Sequence, residues 1–342
     1  MAKNVLFIGG LSVCLFFILV GILGYGIAVD SSPNANQIMP EWSSKSLNST
    51  VYYVQYKRME PLKWYFWISG DATQGEIVSV KPNTYTVEKE GIVAFTNEKT
   101  GLQTRIAANL LEPGLKVRKF RLGSDHFGRD IYSRLVIGSR ISLSIGFFAM
   151  LISLIIGIII GLLSGYFGGK LDVFFTWLIT VFWSVPTLLI ALGLSAFLGK
   201  GFFQVLIATG LSSWVEVARV VRGQTMQLRK REFILSAQIT GFSHFRIMFK
   251  HILPNLFGTL TVLATTNFAA AILLEAGLSF LGLGVSPTTP SWGMMVKDNL
   301  GYLVMGKPYL AIIPGLAIMF LVMAFNLMTM GLKNEEEKQL MR

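Results

Sequence analysis

Charge is scarce in this sequence. Only 14% of its 342 residues are Asp, Glu, Lys or Arg, against 52% hydrophobic residues. The scarcity is uneven: residues 4–29, 141–169, 173–199, 252–274 and 308–332 carry no charged side chain. About 20 mostly apolar residues suffice to cross a bilayer as a helix. A soluble fold of this length would have to bury five such runs on every face, with too little polar sequence left for a shell, so a water-soluble globular protein is excluded. Cysteine is nearly absent too: the one thiol, Cys14, lies inside the first apolar run and can form no intrachain disulfide. The three histidines, His126, His244 and His251, are scattered, so no metal site is expected. Also missing is Gly-x-x-x-x-Gly-Lys-Ser/Thr, the backbone cradle for nucleotide phosphates. The chain is therefore not expected to bind or hydrolyse ATP, and neither a cofactor nor a catalytic residue is indicated.

What is present is a chain of apolar runs separated by basic loops. Spans are expected at 5–29, 142–164, 173–198, 202–219, 257–281 and 309–331, giving an all-α polytopic membrane protein with six transmembrane helices. The fourth is the least apolar, with Gln204, Thr209, Ser212, Ser213 and Glu216; polar groups in a span are tolerated when they face the bundle interior. The net charge of +11 follows from cationic loops beside spans, so no nucleic acid partner is expected. With the amino terminus in the cytoplasm, the inner segments carry twelve Lys and Arg: Lys3, Lys170, Arg219, Arg222, Arg229, Lys230, Arg231, Arg246, Lys250, Lys333, Lys338 and Arg342. The short outer loops carry three, Lys200, Lys297 and Lys307. This asymmetry predicts both termini in the cytoplasm. Arg121, Arg129, Arg134 and Arg140 then lie outside, at the end of a long loop, where the rule is weak.

The expected layout is an N-terminal transmembrane helix (1–30), an extracytoplasmic insertion (31–120), a core with five further spans (121–332) and a cytoplasmic tail (333–342). Lys3 alone precedes the first apolar run and no small-x-small site ends it, so it reads as an uncleaved span rather than a signal peptide. Within the insertion, residues 76–96 contain stretches rich in β-formers bounded by Gly75, Pro82-Asn83 and Gly91, which predicts two or three strands. Residues 52–67 concentrate Tyr52, Tyr53, Tyr56, Trp64, Tyr65, Phe66 and Trp67. These rings suit a small β core with anchors at the membrane surface, or a contact for an external partner.

Four features inside the core carry more information. Gly157, Gly161 and Gly165 recur every four residues and make one smooth stripe for close helix approach, static or shifting. Pro186 removes a backbone hydrogen bond within the third span and predicts a kink. Glu275 lies at membrane depth, where an acid faces the bundle interior or water; it either lines a pathway or pairs with a polar side chain. The basic loop 219–255 contains the fourth feature, Arg231 to Asn255. It reads as a helix with Phe233, Ile234, Ala237 and Ile239 on a partial apolar face, ending near Thr240. Gly241 follows at the left-handed C′ position. Ser243 caps a second helix bearing Phe245, Met248 and Phe249, and Pro254 closes it. Such a hairpin either lies on anionic lipid or enters a partner's cleft.

Here the sequence resembles the permease subunits of ATP-binding-cassette importers, whose cytoplasmic loop carries Glu-Ala-Ala, a glycine four residues on, and Ile-x-Leu-Pro. The matching residues are Leu235-Ser236-Ala237, Gly241 and Ile252-Leu253-Pro254, with the acid absent at Leu235. Further blocks resemble the C-type subunit of the dipeptide/oligopeptide/nickel group. They are Gly123-Ser124-Asp125-His126-Phe127-Gly128-Arg129-Asp130, then Ser133-Arg134, Gly138-Ser139-Arg140-Ile141-Ser142, Gly165-Tyr166-Phe167-Gly168-Gly169, Val221-Arg222-Gly223, the run Glu275 to Gly284, and Pro290-Ser291-Trp292-Gly293. The resemblance covers about 121–331. The stretch 31–120 and the ending Gly331 to Glu337 depart from it. It implies a type I ABC importer permease fold and a subunit of the bacterial inner membrane that passes peptides or a related solute. The partners it implies are membrane lipid, a second homologous permease in a heterodimer, two cytoplasmic ATPase subunits and an extracytoplasmic solute-binding protein. It assigns ATPase coupling to the 231–254 loop, with Arg231, Ser236, Ala237, Gly241, His251, Leu253 and Pro254 as its site, and an external block of Gly123, Asp125, Gly128, Arg129 and Asp130. A secondary transporter would instead carry inverted repeats with interrupted spans, which the sequence lacks.

Overall fold

The uncharged runs fold as helices because a backbone in lipid has no water to bond, and a helix satisfies its N–H and C=O groups within one segment. The computed structural model describes the backbone of residues 5–58, 60–88 and 91–340, and side chains as far as Lys333. Lys3, Lys338 and Arg342, which entered the charge asymmetry, and the acidic run after Lys333 lie outside the described side chains. In chain order, the helices that matter are α1 (Val5–Ile22), α2 (Ile131–Phe167), α3 (Gly169–Trp183), α4 (Thr187–Leu198), α5 (Phe202–Ser212), α6 (Trp214–Arg229), α7 (Glu232–Ile239), α8 (244–255), α9 (Phe257–Phe280), α10 (Trp292–Asp298) and α11 (Tyr309–Leu340). Five stretches of the described residues are long and apolar enough to cross a membrane: α1, α2, the run Phe202–Arg229 that joins α5 to α6, α9, and Tyr309–Lys333 within α11. The pair α3 and α4 is apolar enough to make a sixth if counted as one span, but it is bent by 87°.

The bend is sharper than a proline kink. Val185 precedes Pro186 and is pushed away from helical geometry. Pro186 is itself extended, at φ −54° and ψ 129°, so the helix breaks and restarts at Thr187. The fourth span also runs further than hydropathy indicates, continuing as helix to Arg229. The guanidinium groups of its last turns find partners on α3. Arg222 makes two bonds to Asp172, at 2.5 and 2.7 Å, and Arg219 stands 3.9 Å over the Trp183 ring.

The chain divides into two units. One comprises α1 as far as Ile18, Ile141–Ser286, and α11 from Gly315; the other comprises Leu19–Arg140 and Pro287–Pro314. In the first, the glycine stripe of α2 meets a matching four-residue stripe on α6. A Cβ on Gly157 would lie 2.5 Å from Val217 Cβ, one on Gly161 2.7 Å from Val221 Cβ, and one on Gly165 2.7 Å from Thr225 Cβ. Only glycine allows this approach, as a small-residue stripe should.

In the second unit the insertion forms two antiparallel three-stranded sheets. Strands β1 (Ser49–Gln55), β2 (Ile77–Val80) and β6 (Lys116–Phe120) pair in the order β2-β1-β6, with Tyr52 opposite Val80 and Val117. Strands β3 (Thr86–Glu88), β4 (Ile92–Thr96) and β5 (Gln103–Ala107) pair in the order β3-β4-β5. Three strands thus fall in 76–96, and β1 runs through the tyrosines of the aromatic segment. The apolar faces bury Trp42, Val51, Ile77 and Phe120 in one cluster and Val54, Val80, Val93, Phe95 and Leu111 in another.

Candidate functional site

The hairpin is built by local rules. Thr240 ends α7, and Gly241 takes φ +78°. The Phe242 N–H then bonds Ala237 O at 3.2 Å and the Gly241 N–H bonds Gln238 O at 3.1 Å. This six-to-one and five-to-two pair is the Schellman closure, which a left-handed C′ residue permits. Ser243 Oγ accepts from the Arg246 N–H and caps α8. Phe245 and Phe249 pair at 4.4 Å between ring centroids.

Pro254 does not stop α8. Ile247–Ile252 forms a π-helical turn, in which Leu253 N–H bonds Met248 O, five residues back. The wider turn precedes Pro254, which lacks the N–H that a regular helix would use, and the chain stays helical through it.

Burial separates the two faces of the hairpin. Ile234, Ala237, Ile247, Met248 and Ile252 are buried with Leu162, Tyr166, Val217 and Val221 in one apolar cluster. Phe233, Leu235, Ile239, Phe245 and Phe249 are exposed, Ile239 at 87%. The apolar face expected on α7 is therefore divided, with Ile234 and Ala237 turned inward and Phe233 and Ile239 outward. Arg231, Ser236, Gly241 and Pro254 are exposed, and Leu253 is half-buried. Sequence reasoning missed the polar tie beneath: His244 Nδ1 lies 2.9 Å from Tyr166 Oη. His251 stacks on Phe242 at 5.7 Å, and Arg246 lies 4.3 Å over the same ring.

Glu275 is buried on α9, where its Oε1 accepts from Ser279 Oγ at 2.7 Å. Beyond it Gly282 (φ +85°) closes α9 with a second Schellman pair, Leu283 N–H to Leu278 O at 2.9 Å and Gly282 N–H to Ser279 O at 3.0 Å. Ser195 Oγ of α4 donates to Leu283 O at 2.6 Å.

In the block 123–130, Asp125, Arg129 and Asp130 are buried as well, while His126 and Phe127 are exposed. Asp125 accepts from the N–H groups of Phe127 and Arg129, both at 2.9 Å, and from Arg129 Nε at 2.6 Å. The same guanidinium reaches Asn36 Oδ1 at 3.1 Å, Pro287 O at 3.2 Å and Asp298 Oδ2 at 3.4 Å. Asp130 caps α2 through the Ser133 N–H at 2.9 Å. Burial pushes its carboxyl above the ordinary carboxylate range, against the lowering effect of the Ser133 bonds. Gly128 (φ +75°) sits where a Cβ would be 1.8 Å from Met39 O, so no other residue fits. Gly123 (φ +79°) would place one 2.6 Å from Lys45 O. Trp292 Nε1 donates to Leu135 O at 3.0 Å. The block is thus a clamp that ties 36–45 and 287–298 to the start of α2. Asn36 and Asp298, two of its members, carry no signal in the sequence.

Residues 157–334 match the family described as the inner membrane component of binding-protein-dependent transport systems. The dipeptide transport system permease protein DppC of Alkalihalophilus pseudofirmus is 39% identical over 62% of this chain and 69% of its own length. The glutathione transport system permease protein GsiD of Escherichia coli is 41% identical over 62% of this chain and 70% of its own. Among solved structures, an inward-facing conformation of the MetNI methionine ABC transporter is 17% identical, covering 58% of this chain and 96% of that one, with a TM-score of 0.47. With five to six candidate spans among its described residues and its match over more than half its length, this chain belongs to the family of inner membrane permease components of binding-protein-dependent transport systems.

Proposed function

We propose that the hairpin 231–254 is the joint through which this permease subunit is driven by separate ATPase subunits, and that the cargo is a short peptide or a close relative of one. The observation that carries the reading is the exposed face of Phe233, Leu235, Ile239, Phe245 and Phe249 on a segment whose opposite face is fully packed. Exposed apolar surface marks a contact with a protein or a membrane, and we assign this one to a protein. Arg231, Arg246 and Lys250 supply polar contacts at its rim. In this reading both termini and the hairpin lie in the cytoplasm, a second homologous permease completes the pathway, and a solute-binding protein delivers cargo from the other side. Closure of the ATPases moves the hairpin, and α6 and α9, to which it is joined, carry that movement to the membrane in the manner of rigid-body alternating access. The names of the two relatives, one for dipeptides and one for glutathione, support a peptide-like cargo.

Gly241→Val tests the joint. The site has no atom within 4 Å of a would-be Cβ, so the substitution acts through backbone strain alone, about 1–2 kcal/mol. The expected result is a complex of normal abundance whose ATP hydrolysis no longer responds to cargo-loaded binding protein. Full uptake at normal abundance rejects the joint. Uptake of dipeptides, longer peptides and nickel by a deletion strain, with and without the gene restored, tests the cargo.

A further inference from the structure

We infer that residues 60–69 are a membrane-interface anchor, seating the rings of Trp64, Tyr65 and Trp67 at the lipid headgroup level and so pinning the insertion to the bilayer. The segment presents apolar and aromatic side chains to the outside: Trp64 is 85% exposed and Ile68 68%, with Leu62, Tyr65 and Trp67 exposed beside them. In water this is a costly surface for a short loop. Two span ends fix its height.

The first is the end of α1. Eighteen helical residues rise about 27 Å, close to the ~30 Å of a hydrocarbon core, so the turn Gly24–Ile27 that follows lies at the core's edge. The Trp67 ring packs on that turn, where a Cβ on Gly26 would lie 2.6 Å from it. The second is Arg140, the last charge before the uncharged run 141–169. Its Nη1 donates to Trp67 O at 3.0 Å, and its guanidinium lies 5.4 Å over the Tyr25 ring.

The loop is therefore held at the boundary from two sides, and its free rings have no other medium at that depth than the interface. The chemistry agrees. Trp and Tyr combine an apolar ring with a polar edge and collect at headgroup level. Lys57, Arg58 and Lys63 flank them, as cations do that reach toward phosphate with apolar stems in the interface. Arg58 is also tied to Asp71 at 3.0 Å, which holds the base of the loop. This inference does not rest on the coupling role of the hairpin.

The full chain in phosphatidylcholine/phosphatidylglycerol nanodiscs provides the test. Single spin labels are placed at Trp64→Cys, Ile68→Cys and, on the exposed turn between β4 and β5, Lys99→Cys, all in a Cys14→Ala background. Collision with oxygen and with a nickel chelate is measured for each. Labels at 64 and 68 are expected to lose nickel-chelate collisions and gain oxygen collisions relative to the label at 99. Equal nickel access at all three positions overturns the anchor. So does shielding at 64 and 68 that arises only when a solute-binding protein is added, which assigns the rings to a protein partner instead. All three positions are exposed, so the labels disturb no core.

Discussion

Two segments that resemble family blocks use opposite physics. The block 123–130 is rich in charge and buries it: Asp125, Arg129 and Asp130 are each no more than 2% exposed. The hairpin 231–255 is rich in apolar residues and leaves five of them exposed. Charge in a sequence usually reads as surface and apolarity as core, and here each reading is inverted. A buried ion pair is tolerated where the two charges meet and further hydrogen bonds satisfy them; Asp125 and Arg129 meet each other, and Arg129 also reaches Asn36, Pro287 and Asp298. An apolar face is tolerated in the open only where something else covers it. The first segment is thus an internal clamp, and the second is the surface to which, in the proposed function, we assign a partner.

The comparison breaks first at Arg129. Arg129→Ala leaves Asp125 buried without its counter-ion, which costs about 3–5 kcal/mol. The control lies in the same unit: the exposed pair of Arg105 and Glu88, at 3.2 Å, should change stability by less than about 1 kcal/mol on Arg105→Ala. Thermal unfolding of the full chain in nanodiscs reads both, and equal losses would show that burial confers nothing on the clamp. Next in size is Gly161→Ala. The new methyl meets Val221 Cβ at 2.7 Å and Ala218 O at 2.8 Å, an overpacking of about 1–3 kcal/mol. Gly193→Ala, with no atom within 4 Å, should be neutral or stabilise by up to roughly 1 kcal/mol. On the hairpin the ranking reverses. Ile239→Asp should alter stability by no more than about 0.5 kcal/mol, as exposed substitutions do, and yet abolish uptake. If uptake survives at normal abundance, the exposed face contacts nothing that matters.

Hydropathy made the spans legible, because 20 uncharged residues leave lipid as the one solvent that fits them. It could not mark where helices exceed the bilayer: α2 begins at Ile131, in sequence that looks like a loop because Arg134 and Arg140 lie in it. The Schellman turn was readable at Gly241, since a left-handed residue after a helix is nearly always glycine. The π turn before Pro254 was not, because its signal is a missing N–H that a simple helix stop explains equally well. Strand β1 was hidden by its tyrosines, which read as an aromatic cluster although they alternate across a sheet. Least legible was the clamp, whose Arg129 finds Asp298 169 residues away. No local pattern encodes a pair so distant, and the inward turn of Ala237 likewise depends on neighbours from α2 and α6.

The smallest effect concerns the other acid of the clamp. Asp130 has its pKa raised, first by burial, with the Ser133 bonds opposing. The folded state therefore holds the proton more tightly than the unfolded chain does. Below the unfolded value, about 3.9, this contribution to stability is fully present, and it is lost as pH rises through the folded value. Asn at the same position keeps the cap on α2, since Asn and Asp cap equally well, and carries no charge to bury. Asp130→Asn should therefore match the parent at acid pH and exceed it near neutrality. Asp130→Ala should lie about 1 kcal/mol below the Asn variant at every pH through the missing cap, so its deficit against the parent shrinks from acid pH to neutrality. Unfolding at pH 4 and pH 7 separates these outcomes. An Asn variant less stable than the parent at pH 7 would mean that the ionised carboxylate holds the clamp and that the Ser133 bonds, rather than burial, set its proton affinity.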